Sequence, residues 1–254
     1  MKRVALAFIL VLLCAVTAAA QFSFVLTERA GGKSSTAKGF SDGAKFRLEP
    51  QQSTADDDPH GVYVISSDGG RTLYMVNPER QEFMRVDTHT LMAKAAAELK
   101  ARMKEATLQL ESPQVATVLS EAGEAIEGHA TRHYKLRISY SLHYLKSGLR
   151  SSYVEYEDLW TAADFEQEGA ANLLIYFRPS GDPRIDQAWE HEVAQIRGFP
   201  LRQVTLRTEV NEEGNSRVLR ISREITHVRA GAVPASLFVL PTGYKEVEGK
   251  YNAR

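Results

Sequence analysis

The most regular pattern in the chain has a period of two. Tyr134, Leu136, Ile138, Tyr140, Leu142 and Tyr144 alternate with Lys135, Arg137, Ser139, Ser141 and His143, which predicts a strand with one buried and one wetted face. The same alternation runs through residues 22–26, 45–49, 204–210, 218–225 and 237–240. Turn chemistry separates these runs, at Ser67-Asp68-Gly69-Gly70, Asn77-Pro78-Glu79-Arg80, Asn211-Glu212-Glu213-Gly214-Asn215 and Pro241-Thr242-Gly243. Roughly nine to eleven strands follow, mostly joined as hairpins. The intervals between them are too short for crossover helices, so the sheet is expected to be antiparallel.

Two segments change period. In residues 90–106, Met92, Ala95, Ala96, Leu99, Met103 and Ala106 recur every three to four positions, with Lys94, Glu98 and Arg102 on a polar flank. Asp87 or Thr88 is placed to cap this helix. A second helix is predicted over residues 183–196, where Ile185, Trp189, Val193 and Ile196 share a face. Neither sits in a βαβ rhythm, so both are expected to pack on one face of the sheet or inside its curl. There is no repeat, no low-complexity tract and no linker long enough to divide the chain.

The first twenty residues read as an export signal. Lys2 and Arg3 precede an apolar run over residues 4–16, and Ala18-Ala19-Ala20 offers a cleavage site before Gln21. The expected mature chain is a single domain, 21–254. Thirteen apolar residues are too few to span a bilayer about 30 Å thick. The sole cysteine, Cys14, falls within the signal, and Leu12 and Leu13 spoil a lipoprotein box. The mature chain therefore has no thiol for a disulfide, a zinc site or a nucleophile. Without Lys2 and Arg3 it carries 29 basic against 32 acidic residues, which gives no electrostatic case for nucleic acid.

Several short strings mimic catalytic or binding motifs. Gly39-Phe40-Ser41-Asp42-Gly43 matches a hydrolase elbow, but the elbow must open a helix and residues 45–49 alternate as a strand, so a flexible hairpin loop is expected. Gly31-Gly32-Lys33-Ser34 lacks the first glycine of a phosphate loop, whose place Thr27 takes. His129 and His133 flank a strand entry, where four residues span about 13 Å, too far for one metal ion; structural histidines on a solvated face are expected. Asp56-Asp57-Asp58 lacks the ligand spacing of a calcium loop. Glu155 and Glu157 share a strand face and read as solvated charges. Nothing here compels an enzyme, a metal or a cofactor.

Residues 64–78, with Ser67-Asp68-Gly69-Gly70-Arg71-Thr72-Leu73-Tyr74 and Asn77-Pro78, preceded by Lys45-Phe46-Arg47-Leu48-Glu49, resemble the lipoprotein carrier superfamily of LolA and LolB. The stretch 234–245, with Phe238, Pro241 and Gly243, is similar to that family's closing strand and turn. Gly198-Phe199-Pro200-Leu201 and Glu157-Asp158-Leu159-Trp160-Thr161-Ala162 look closer still to an exported bacterial group of unknown function within the superfamily. The resemblance implies a mainly β (α+β) fold: a curved, incomplete antiparallel barrel whose concave face is covered by helices and which encloses an apolar cavity. The carriers' Arg-Pro before the Lys45 strand is replaced by Ser41-Asp42-Gly43, so their lid-controlling arginine does not carry over.

A half barrel of about ten strands needs a plug, and the helix over residues 90–106 is expected to supply it. Met92, Leu99 and Met103 with Leu136, Ile138 and Tyr140 are the expected ligand-binding residues. The expected function is that of a soluble, monomeric periplasmic protein, not an enzyme, that binds a lipid or an acylated protein. The alternatives are an envelope protein-interaction or stress-sensing module of the same fold, a hydrolase using Ser41, and an outer-membrane barrel, against which the internal helix and the charges spread along the strands count.

Overall fold

The computed structural model describes residues 21–53, 61–165 and 179–248. The expected export signal and Asp56-Asp57-Asp58 lie outside them. Two meanders build the chain. The first holds β1 (Gln21–Ala30), β2 (Lys33–Asp42), β3 (Lys45–Ser53), β4 (Tyr63–Ser66), β5 (Thr72–Asn77) and β6 (Glu82–Asp87). Helix α1 (Thr88–Glu105) leads to the second, β7 (Leu108–Ala122), β8 (Thr131–Tyr144), β9 (Arg150–Ala162), β10 (Phe199–Asn211) and β11 (Ser216–Ala230), with α2 (Pro183–Val193) between β9 and β10. A two-residue β12 (Lys245–Glu246) follows.

The twelve strands of the described residues form one sheet in the order β12-β6-β5-β4-β3-β2-β1-β11-β10-β9-β8-β7. The meanders meet where β1 pairs with β11, Phe22 opposite Ala230 and Ala30 opposite Ile221. The sheet is not closed into a barrel, since β12 and β7 are its two ends. Every pairing is antiparallel except that of β12 with β6, a parallel pair reached by the long C-terminal return and not by a crossover helix. No helix among the described residues is long and apolar enough to cross a membrane.

Local chemistry sets the turns. Gly31 and Gly32 both have positive φ, 56° and 81°, the requirement of the tight two-residue hairpin turn between β1 and β2. Asp68 accepts from the Thr72 amide and the Ser66 hydroxyl, both at 2.9 Å. Asn211 accepts from the Asn215 amide at 2.8 Å. Of the two residues in position to cap α1, Asp87 does so, accepting from the Thr90 amide at 2.7 Å.

Cross-strand register sorts the side chains onto two faces. On the helix face, Phe22, Phe24, Phe46, Phe165, Phe199, Leu201 and Ile225 form the central core. Beside it, Ile185, Trp189 and Val193 are buried along α2, and Trp189 and Val193 pack on Tyr134, Leu136 and Leu159, with Ile138 and Ile196 against them. On the back face, Tyr63, Ile65 and Val76 are covered by the C-terminal segment through Val233, Leu237 and Phe238. Arg47 fastens that segment: its guanidinium lies 3.7 Å from the Tyr63 ring centre and donates to the Leu237 carbonyl at 3.2 Å.

Three expectations change. Residues 237–240 are not a strand; Ala235–Phe238 is a 3-10 turn after Pro234, and burying Phe238 against Ile65 outweighs an alternation only four residues long. Gly39-Phe40-Ser41-Asp42 is not a flexible loop but the end of β2. The Phe24 ring lies over Gly39, where a Cβ would collide with it, and Ser41 is fully buried. The helix that fills the helix face is α2. In α1 no residue is buried.

Candidate functional site

The ligand-binding residues expected from the sequence fall into two groups. Leu136 is fully buried beneath α2 and Ile138 is partly buried beside it. Tyr140, one step further along β8, stacks on Tyr153 of β9 with ring centres 5.0 Å apart and planes within 11°. On α1, Met92 and Met103 are half-buried and Leu99 is 36% exposed. A Cβ on Gly181, just before α2, would lie 3.2 Å from Leu99, so α1 runs beside the start of α2.

The larger surprise is polar. Glu155 and Glu157 are not solvated: they are 5% and 1% exposed. They lie on the helix face because Glu157 stands directly opposite Leu136, and Glu155 opposite Ile138. In β10 the inward phase is also polar. Gln203 and Thr205 are buried while Leu206 is 39% exposed.

These groups are organised across strands. Gln203 donates to Glu157, Arg223 donates to the Gln203 carbonyl oxygen at 3.5 Å, and Arg223 Nε donates to Glu28 at 2.6 Å. The chain runs through β9, β10, β11 and β1. One row nearer the hairpin tips, Arg207 Nε donates to Glu155 at 2.6 Å. Buried polar groups stay folded only when they are bonded to one another in this way. Burial works against the charge on Arg207, but Glu155 outweighs it and holds the guanidinium more firmly protonated than usual.

The same end carries the tyrosines. Burial raises the pKa of Tyr140. Burial and a hydrogen bond to the Glu209 carboxylate raise that of Tyr153. Around them Ile138, Leu142 and Ile221 are half-buried and Leu219 is 37% exposed. The surface therefore combines apolar side chains, a stacked aromatic pair and an arginine with one edge occupied. Such a surface can hold a molecule with both an apolar and a polar part.

The other motif residues are structural. His133 stacks on Trp160, ring centres 4.2 Å apart and planes within 3°, and meets Asp158 at 2.8 Å. His129 meets Asp164 at 3.1 Å and the Phe165 ring edge. Both side chains are mostly covered, 16% and 24% exposed, where a solvated face was expected. No group of three or more histidine, cysteine or acidic side chains among the described residues converges as metal ligands. Ser41 precedes a hairpin into β3, not the helix that an elbow requires.

The sequence did not disclose Arg207, Tyr153, Gln203 and Glu209 as part of this surface. A signal was present: in residues 203–209 the polar phase, Gln203, Thr205, Arg207 and Glu209, complements the Glu155 and Glu157 phase of β9. Only the pairing of β9 with β10 brings the two together.

A search of curated proteins returned no match. A family model described as "Domain of unknown function (DUF4412)" matches residues 26–244, a span that takes in the whole polar ladder and both meanders except the first residues of β1. The chain belongs to the DUF4412 family.

Proposed function

We propose that the protein is a periplasmic binding module, not an enzyme, whose helix face takes an apolar or amphiphilic ligand: a lipid or the acyl part of an acylated protein. The observation that carries this reading is the contrast along one sheet face. Under α2, Leu136 and Leu159 are fully buried, as is Val193 on the helix itself. Toward the hairpin tips the same face keeps Leu219 exposed and Ile138, Leu142 and Ile221 half-exposed. Apolar surface left uncovered beside a finished core is characteristic of ligand sites.

One further feature supports a LolA-like curled sheet. Strands β6 and β7 stand ten places apart, about 48 Å if the sheet were flat. They are joined by α1, whose 18 residues reach only about 27 Å. Curling of the sheet removes the discrepancy. The half-buried Met92 and Met103 would then give α1 an adaptable lining beside the ligand. Export rests on the charged, apolar and alanine-rich start of the sequence.

The test is to express the full-length protein in a bacterial envelope, purify it from the periplasmic fraction and combine native mass spectrometry with solvent extraction. The expected result is a chain starting at or near Gln21 with co-purifying lipid or acyl chains at stoichiometric level. A protein recovered only from the cytoplasm, or one that neither carries nor binds any acyl ligand, overturns the reading. In the latter case an envelope protein-interaction module takes its place.

A further inference from the structure

The two donor groups at the open end of the helix face are unspent. Arg207 commits its Nε to Glu155, and neither of its terminal nitrogens bonds to a described residue. The Tyr153 hydroxyl is taken by Glu209, whereas that of its stacked partner Tyr140 makes no hydrogen bond within the described protein. Arg207 lies near enough to the Tyr140 hydroxyl to act on it electrostatically, as do the carboxylates of Glu155 and Glu209. A guanidinium held by one edge offers its other nitrogens as a planar fork, the geometry that matches two oxygens of one oxyanion.

We propose that Arg207 and Tyr140 form the headgroup subsite of the helix face, and that the ligand is an amphiphile ending in an oxyanion, a carboxylate or a phosphate. The proposal rests on the ligand-binding reading above and names the polar end of that ligand. The apolar chain then lies against Ile138, Leu219 and Ile221, which share this face through the register of β8, β9, β10 and β11. Burial keeps the Tyr140 hydroxyl protonated, so it donates. Glu155 keeps Arg207 charged against its burial.

The neighbouring carboxylates set the limits of the site. Glu155 is bonded to Arg207 and Glu209 accepts from the Tyr153 hydroxyl, so two carboxylates stand beside the one guanidinium. A bare negative charge is not strongly attracted over distance. What the site recognises is the directional match of two oxygens to the fork and the phenol, which a neutral hydroxyl cannot reproduce.

The experiment holds the chain constant and changes the head. Dodecanoate, dodecyl phosphate, dodecanol and dodecyltrimethylammonium are titrated into the mature protein by calorimetry, the ionic amphiphiles below their micelle concentrations and dodecanol below its solubility limit. The expected result is binding of the carboxylate or the phosphate about tenfold tighter than the alcohol, a difference of about 1.4 kcal/mol. In Tyr140→Phe, which keeps the ring stack, and in Arg207→Gln, that preference falls to about threefold or less while dodecanol binding is unchanged. The tighter of the two oxyanions identifies the source as a free fatty acid or a phosphate-headed lipid. If dodecanol or the cationic amphiphile binds as well as the oxyanions, or if the preference survives in both variants, the subsite is wrong and the apolar site stands. If no dodecyl compound binds, the ligand-binding reading falls with it.

Discussion

Replacing Trp189 by phenylalanine tests how α2 is held on the sheet. Trp189 is 8% exposed and packs on Tyr134, Leu136 and Leu159, but its indole Nε1 is buried without a hydrogen-bond partner among the described residues. A buried donor left unpaired costs about 1–3 kcal/mol. Trp189→Phe removes that donor and keeps most of the ring. The void it leaves, about 40 Å³, costs about 1 kcal/mol at roughly 24 cal/mol per Å³. The void offsets part or all of the gain, and the expected change in unfolding free energy lies between about zero and about 2 kcal/mol of stabilisation. Trp189→Ala has no such offset and is expected to cost about 3–5 kcal/mol. Urea unfolding followed by far-ultraviolet circular dichroism measures both without relying on the lost fluorophore. Destabilisation of Trp189→Phe by more than about 2 kcal/mol would refute the reasoning, because the indole N–H would then be contributing a bond. An equally small loss in both variants would show that α2 does not depend on the ring at all.

Other substitutions address the remaining elements. Gly39→Ala places a methyl against the Phe24 ring and is expected to cost about 1–3 kcal/mol through overpacking, measured by thermal unfolding; an unchanged midpoint contradicts the close approach. Arg207→Met removes the ion pair with Glu155 and is expected to cost about 1–3 kcal/mol, less than the full price of a dry ion pair because Arg207 is partly exposed. Urea unfolding measures the loss, and an unchanged midpoint would show that the pair contributes nothing to stability. Asp182 caps α2, accepting from the Arg184 amide at 2.9 Å. Its bond to the Arg184 side chain, with the amide bond and against some desolvation, lowers its pKa from 3.8. A lowered carboxylate pKa means the stabilisation is fully present above pH 4 and is lost as pH falls through the lowered value. Acid unfolding curves of Asp182→Asn should therefore show a smaller loss of stability below pH 4 than the native chain. Identical curves would exclude the cap as a source of acid sensitivity.

The alternation of residues 134–144 and the turn residues made the strands legible, and Ile185, Trp189 and Val193 at helical spacing made α2 legible. The role of α1 was not, because a stripe of Met92, Leu99 and Met103 says only that a face is less polar, and its contacts are set by where the two ends of the sheet lie. The buried acids were misread for a related reason. Glu155 and Glu157 look solvated when β9 is read alone, since an isolated strand shows only which residues share a side. Their burial depends on Arg207, Thr205 and Gln203 arriving from about fifty residues downstream, which the register of β9 with β10 decides. The inverted phase of β10, with Leu206 exposed and Thr205 buried, is the imprint of that pairing.

The meeting of β1 with β11 has a consequence for how the molecule assembles. Arg29 and Glu224, joined at 3.2 Å, are 195 residues apart in sequence. Each meander can zip hairpin by hairpin through local contacts, but the seam between them requires the first strand to wait for the last long one. Closing so large a loop is entropically costly, though the cost rises only logarithmically with length. What it slows is the search, as in other β proteins dominated by distant pairings. Until the seam forms, the Phe22 and Phe24 side of β1 and the Ile225 side of β11 are two open, apolar edges in one chain. Folding of this protein should thus be limited by a single late docking step between two preformed halves, and that interval is when it is most open to aggregation or in need of a chaperone.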